Sequence, residues 1–277
     1  MNHIKLTVKE GIDLVEYLLK YTDYNKKKIK TLLKFKNIYI NGSNKFKIPH
    51  FLRVDEQIEI KVNFNIIEGL EIIYEDSDIL VVNKEAGLLT IGTDKEREKT
   101  LYHRAREYAK INNFKIFIVH RLDKETSGIV ILAKTEKIKN ALQNSWEELA
   151  RKRRYVAVVE GKTLENGRID NLLYEEESNF VHSSKIGKRA ITNYKTLKSN
   201  EKFTMLDIEI ETGRKNQIRV HLSEMGNPII GDKKYGAKTD PIKRLGLHAT
   251  ELIIVHPFTN KTLNFHTEIP QKFKNIF

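Results

Sequence analysis

From about residue 66 onward this chain carries short runs of aliphatic and β-branched residues, each of strand length and each bounded by polar segments. DILVVN from Asp78, KIFIV before His120, IVILAK after Gly128 and RYVAVVE from Arg154 all read as buried strands. LDIEIE from Leu206 alternates strictly, so Leu206, Ile208 and Ile210 should share the inward face. ELIIVHP and TLNFHTEIP, joined through residues 259–261, form a closing hairpin. Two helices interrupt the strands. Thr135 caps one, whose apolar stripe runs through Ile138, Ala141, Leu142, Trp146 and Leu149. Thr212 caps the other, which carries Ile218, Leu222 and Met225 and stops at Gly226.

The N-terminal part has a different character. An amphipathic helix from Asp13, with Leu14, Val15, Leu18 and Leu19, is followed by a second with Ile29, Leu32 and Leu33 on its apolar side. Lys26, Lys30 and Lys34 repeat at i, i+4 and i+8 along a different face, a stripe able to track phosphates. A short strand, an Asn41-Gly42 turn and the alternating IEIKV complete the pattern. Residues 1–62 hold 13 Lys and Arg against 7 Asp and Glu, so half of the chain's net charge of +12 lies in under a quarter of its length. Such an excess attracts polyanions, nucleic acid first and anionic membrane surfaces next. The order helix, basic helix, strand, turn, strand resembles the small RNA-binding domain first known from a ribosomal small-subunit protein, the "S-four" domain. That resemblance implies RNA contacts from Lys26, Lys30 and Lys34, and divides the chain into residues 1–62, a linker at 63–69 and a larger domain at 70–277.

Composition narrows the function further. No apolar run approaches the roughly 18 residues of a membrane span, and a chain that is 40% hydrophobic and 31% charged is globular. With no cysteine there is neither a disulfide nor a thiolate metal site. Nine histidines show no HExxH or comparable spacing, so no metal is expected. The N-terminus shows no signal peptide, and the expected compartment is the cytoplasm.

Chemistry concentrates in VHRLDKETSGIVILAK, residues 119–134, a polar, basic loop between two apolar strands that can hold Asp123 in a fixed position. HRLDKETSG resembles the signature of the RluA-like family of RNA pseudouridine synthases. Further blocks follow in the family's order: YEDSDILVVNKEAGLL from Tyr74, RRYVAVVEG from Arg153, TGRKNQIRVHLSEMGNPIIGDKKYG from Thr212 and LHATELIIVHP from Leu247. Two positions depart from the family pattern, Glu85 in place of proline and Asn216 in place of histidine. The resemblance implies an α+β fold, with a central mixed, mostly antiparallel sheet crossed by a cleft and preceded by the small N-terminal α/β domain. It implies Asp123 as the catalytic carboxylate, Arg219 as its cationic partner with Arg214 as a second candidate, and Tyr155 as the active-site aromatic. Substrate contacts are implied for His120, Arg121, Leu122, Lys124, Arg214 and Gln217, with Arg121 entering the RNA as the base leaves.

Turning uridine into pseudouridine exchanges a sugar–nitrogen bond for a sugar–carbon bond with no change of composition, so no cofactor is expected. A carboxylate can attack the anomeric carbon, attack the pyrimidine ring or stabilise positive charge on the sugar, and the sequence leaves all three open. A cation beside it must offset any burial. The expected partner is RNA, ribosomal RNA of the large subunit before transfer RNA, and the default assembly is a monomer. The competing reading is a non-catalytic RNA-binding or ribosome-assembly factor.

Overall fold

The computed structural model describes residues 2–34, 36–62, 67, 69–93 and 96–277. The expected linker at 63–69 therefore falls mostly outside the described residues. Two compact units are present, Met1–Leu70 with Arg106–Phe114, and Glu71–Ala105 with Lys115–Phe277.

The first unit contains β1 (Asn2–Thr7), α1 (Leu14–Tyr21), α2 (Lys26–Lys34), β2 (Ile38–Ile40) and β3 (Gln57–Val62). The three strands form an antiparallel sheet in the order β1-β3-β2, in which β1 is an addition to the sequence reading. Asp13 caps α1 by accepting from the Val15 and Glu16 backbone N–H groups. Leu14, Leu18, Ile29 and Leu32 pack with Ile38, Ile40, Ile58 and Ile60 into one core, whereas Leu19 is exposed. Asn41 and Gly42 both take positive φ, 50° and 81°, and Ile40 and Ser43 exchange two backbone hydrogen bonds across them. Lys26 and Lys30 are exposed on α2.

The second unit begins with β4 (Glu71–Glu75) and β5 (Ile79–Lys84), and α3 (Leu101–Ile111) follows in the chain. It continues with β6 (Phe117–Ile118), β7 (Ser127–Ala133), α4 (Glu136–Asn144), α5 (Trp146–Leu149), β8 (Lys152–Glu160), β9 (Asn166–Glu175), β10 (Val181–Ser183), β11 (Lys188–Ser199) and β12 (Phe203–Ile210). Then come α6 (Gln217–Glu224), a single 3-10 turn at Lys233–Tyr235, β13 (Leu247–Val255), β14 (Thr262–His266) and α7 (Gln271–Lys274). Eleven strands make one sheet in the order β10-β9-β11-β12-β8-β13-β7-β5-β4, with β14 paired to β13 and β6 to β7. This is the mixed, mostly antiparallel α+β architecture expected. Its parallel seam lies in the middle, where His248 and Ala249 of β13 pair with Ser127 and Gly128 of β7.

Alternation along β8 shows how the sheet is filled on both faces. Ala157 and Val159 face a core with Leu206, Ile208, Ile218 and Leu222, covered by α6. Val156 and Val158 face the opposite core, with Met205, Ile230 and Phe273 of α7. Each such aliphatic side chain contributes roughly 1.5–3 kcal/mol by leaving water. A third cluster joins Ile79, Val81, Ile129 and Ile131 to Ile138 and Leu142 of α4.

Two local expectations need correction. The helix begun at Thr135 does not run through to Leu149; it breaks at Ser145, whose φ and ψ of −119° and 29° are not helical. Thr212 does not cap α6, because its hydroxyl donates to Gln217 Oε1 and accepts from the Ile191 N–H. The residue at the cap is Asn216, in a left-handed conformation at φ 54°.

Candidate active site

The loop between β6 and β7 is fixed through its backbone. Thr90 Oγ1 donates to the Leu122 carbonyl at 2.8 Å and accepts from the Leu122 N–H at 3.2 Å. Lys84, fully buried at the end of β5, donates its ammonium protons to the carbonyls of Leu88 at 2.7 Å, Glu85 at 3.0 Å and Lys124 at 3.0 Å. The Lys124 carbonyl also accepts from the Gly87 N–H. Burial pushes the Lys84 ammonium down to about 8, opposed by the carboxylates of Glu125 and Asp123. Asp123 therefore sits between two clamped carbonyls, those of Leu122 and Lys124. Beyond it, Gly128 has φ 115°, and a Cβ there would come within 2.2 Å of the Ala249 carbonyl oxygen, so glycine is required where β7 meets β13. Ser127 Oγ bonds to His248 Nδ1 at 2.7 Å and accepts from Arg244 at 2.6 Å, fastening the loop's far end to the same seam.

Asp123 keeps 29% of its side chain exposed, and Arg219 Nη1 lies 3.5 Å from its Oδ2. Arg219 projects from α6 and is held from behind. Its Nε and Nη2 donate to the two oxygens of Asp232, both at 2.7 Å, in a bidentate fork. Nη1 also donates to Asn216 Oδ1 at 3.0 Å, and the guanidinium lies over the Tyr235 ring at 4.9 Å. Burial opposes the Arg219 charge, but the buried Asp232 carboxylate outweighs it and leaves the guanidinium more firmly protonated than usual. The 3.5 Å approach to Asp123 is longer than a full hydrogen bond, so the carboxylate feels a positive field while remaining free to meet a substrate. Arg214, the other candidate partner, turns away to Glu147 at 3.3 Å and to the Arg189 carbonyl at 3.0 Å.

Asp123, Leu122, Thr126 and Arg219 line a cavity of about 490 Å³. A second lobe of about 620 Å³ adjoins it, and Arg121, Tyr155, Ile210, Gly213 and Arg214 line both. Tyr155 comes from β8. Burial, reinforced by Asp123, pushes its phenol up to about 12 against the pull of Arg153, so it is a neutral hydroxyl at any ordinary pH. Arg121 is exposed at the junction of the lobes, and the Lys124 side chain is exposed as well. His120 stacks on Trp146 with ring centroids 4.6 Å apart, and its Nε2 accepts from the Ile131 N–H, consistent with burial pushing its imidazole down to about 3. Gln217 lines the first lobe, yet its amide is engaged at both ends, with Thr212 Oγ1 and the Arg214 N–H on Oε1 and with the Ile191 carbonyl and Thr192 Oγ1 on Nε2. Its geometry supports the turn before α6.

Lys84, Thr90, Asp232 and Tyr235 escaped the sequence reading. Their contacts with the Asp123 loop and with Arg219 arise only in the fold, and no spacing in the sequence marks them. The two departures are accommodated locally. Glu85 pairs with Arg104, and Asn216 bridges Arg219 and the Tyr235 hydroxyl. An open carboxylate beside a fixed guanidinium, faced by a neutral phenol, suits substitution at a sugar or at a pyrimidine ring.

Comparison with known proteins gives the same direction. The family described as RNA pseudouridylate synthase matches residues 78–224. The chain is similar to an uncharacterized RNA pseudouridine synthase, YhcT, of Bacillus subtilis (strain 168), at 34% identity over 214 residues, spanning 75% of this chain and 71% of the relative. It is also similar to ribosomal large subunit pseudouridine synthase D of Yersinia pestis, at 32% over 276 residues, spanning 91% and 85%. Among solved structures, human RNA pseudouridylate synthase domain containing 4 shares the fold with a TM-score of 0.60 at 24% identity, covering 73% of this chain and 90% of its own.

Proposed function

The chain belongs to the RluA-like family of RNA pseudouridine synthases, and from that premise we propose that Asp123 is its catalytic carboxylate and that large-subunit ribosomal RNA is its substrate. The observation that carries the first part is the pairing of a partly exposed Asp123 with an Arg219 whose other two nitrogens are fixed by Asp232. In the reaction the bond from C1′ to N1 breaks and one from C1′ to C5 forms, while C5 loses a proton and N1 gains one. Asp123 meets the sugar or the ring. Tyr155 supplies a flat face for the uracil and a hydroxyl through which a proton can pass. Extruding the base from its stack costs a few kcal/mol. Arg121, exposed where the two lobes join, enters the space that the base leaves, and Leu122 and Lys124 complete the loop's contact with RNA.

The relative named ribosomal large subunit pseudouridine synthase D in Yersinia pestis matches along 91% of this chain, which supports a ribosomal substrate ahead of transfer RNA. Residues 1–62 act as an S-four-like module in which Lys26, Lys30 and Lys34 follow phosphates. The test is to incubate the protein with unmodified transcripts of large-subunit ribosomal RNA and of transfer RNAs and to map pseudouridine by chemical labelling. Pseudouridine at a defined ribosomal uridine with wild type, and none with Asp123→Asn at undiminished RNA binding, is the expected result. Modification confined to transfer RNA would overturn the substrate, and an active Asp123→Asn would overturn the residue.

A further inference from the structure

Arg153 is an unusual cation. Only 7% exposed, it donates one Nη to the Glu211 carbonyl, while its Nε has no hydrogen-bond partner. Among the described residues no carboxylate lies within ion-pair distance of it. Glu147 attracts it only from beyond that distance, and a desolvated guanidinium lacking an ion-pair partner is costly, a cost that an arriving anion would relieve. Arg153 lines the second lobe of the cleft, and two of the lobe's three carboxylates are matched elsewhere, Glu147 to Arg214 at 3.3 Å and Glu251 to Arg154 and Lys152 at 3.4 and 3.6 Å, while the third, Glu148, makes no ion pair with Arg153. Trp146 lines the same lobe, backed by the stacked His120 ring. Arg153 and Tyr155 are two positions apart on β8, so their side chains leave the same strand face roughly 7 Å apart. That separation is within one nucleotide step of an unstacked strand.

We propose that this second lobe is a subsite for the nucleotide adjoining the target uridine, with its phosphodiester on Arg153 and its base against Trp146. The assignment rests on the reading of the first lobe as the uridine site. It combines what a single-stranded segment needs, a flat aromatic surface and a cation for the backbone. The volume of about 620 Å³ is in the range of small-ligand pockets, and Arg121 and Arg214 stand between the two subsites.

Trp146 is the chain's sole tryptophan, so intrinsic fluorescence reads this lobe directly, whether or not a uridine is converted. The probes are the unmodified large-subunit and transfer RNA transcripts, with binding followed in parallel by filter retention. RNA binding to wild type and to Asp123→Asn quenches the tryptophan. Arg153→Met weakens binding by about tenfold or more and reduces the quench, while Arg153→Lys restores part of both. Thermal melts matching wild type show that Arg153→Met is folded. Persistent quenching without pseudouridine would end the catalytic reading and leave the subsite supported. Unchanged fluorescence with bound RNA, wild-type affinity in Arg153→Met, or no binding of either transcript would overturn the subsite.

Discussion

With two of its three nitrogens given to Asp232, Arg219 has one direction left in which to act, toward Asp123 and Asn216. Preorganisation of this kind matters because an electrostatic partner that must first be reoriented loses much of its effect. Asp232→Asn halves the fork and removes its charge, so Arg219 is released. The expected outcome is a fall in kcat of about a hundredfold with KM little changed, since a displacement near 1 Å costs about that much; steady-state kinetics on the unmodified transcript that wild type converts checks it. Asp123, Tyr155 and Arg219 were legible in the sequence because they lie in recognisable strings. Asp232 was not, because its partnership with Arg219 exists only once the turn after α6 folds back on the helix. The Arg219-or-Arg214 choice was likewise open; in the fold Arg219 lies 3.5 Å from Asp123, while Arg214 pairs with Glu147.

The active loop is an element whose rigidity comes from residues far from it in sequence. Lys84 holds three carbonyls at the end of β5, and Thr90 holds Leu122 from both sides. Lys84→Met leaves buried carbonyls without donors, and a stability loss of about 2–3 kcal/mol is expected by urea unfolding. Faster amide exchange in residues 120–126 should accompany it. The strands were readable wherever a period of two or an aliphatic run marked them, as in β7, β8 and β12. β1, β4, β9, β10 and β11 were not identified. β9, with the burial pattern of a largely exposed strand, lacks the apolar signal on which such reading depends. The break at Ser145 was hidden because the apolar stripe continues through it to Trp146, the residue on which the second lobe is built.

At the scale of the whole molecule, charge and protonation set the working conditions. The net charge of +12 predicts RNA affinity that falls linearly on a log–log plot against salt, with a slope of about −0.7 for each phosphate contacted on single-stranded RNA. Replacing Lys26, Lys30 and Lys34 together by Gln should shallow that slope by about 2 without lowering kcat at saturating RNA. Stability should depend on pH through His221 and His248, which are 1% and 3% exposed. Burial pushes both imidazoles from 6.5 down to about 4. Both are neutral in the fold, so below pH 6.5 the unfolded chain binds protons that the native state refuses. These groups thus lower stability progressively as pH falls from 6.5 to about 4, by up to about 2.7 kcal/mol per pH unit in the steepest part. His120, which burial likewise pushes down, to about 3, adds to the same trend, so denaturant melts at pH 7, 6 and 5 read all three, and His221→Gln should remove about a third of the slope. The most direct test of Asp123 uses the proton that C5 must give up when C1′ bonds to it. On ribosomal RNA carrying tritium at uridine C5, wild type is expected to release one tritium for each pseudouridine formed, and Asp123→Asn, bound to the same RNA, to release none above background. Release by Asp123→Asn at a rate near that of wild type would contradict the assignment of this carboxylate.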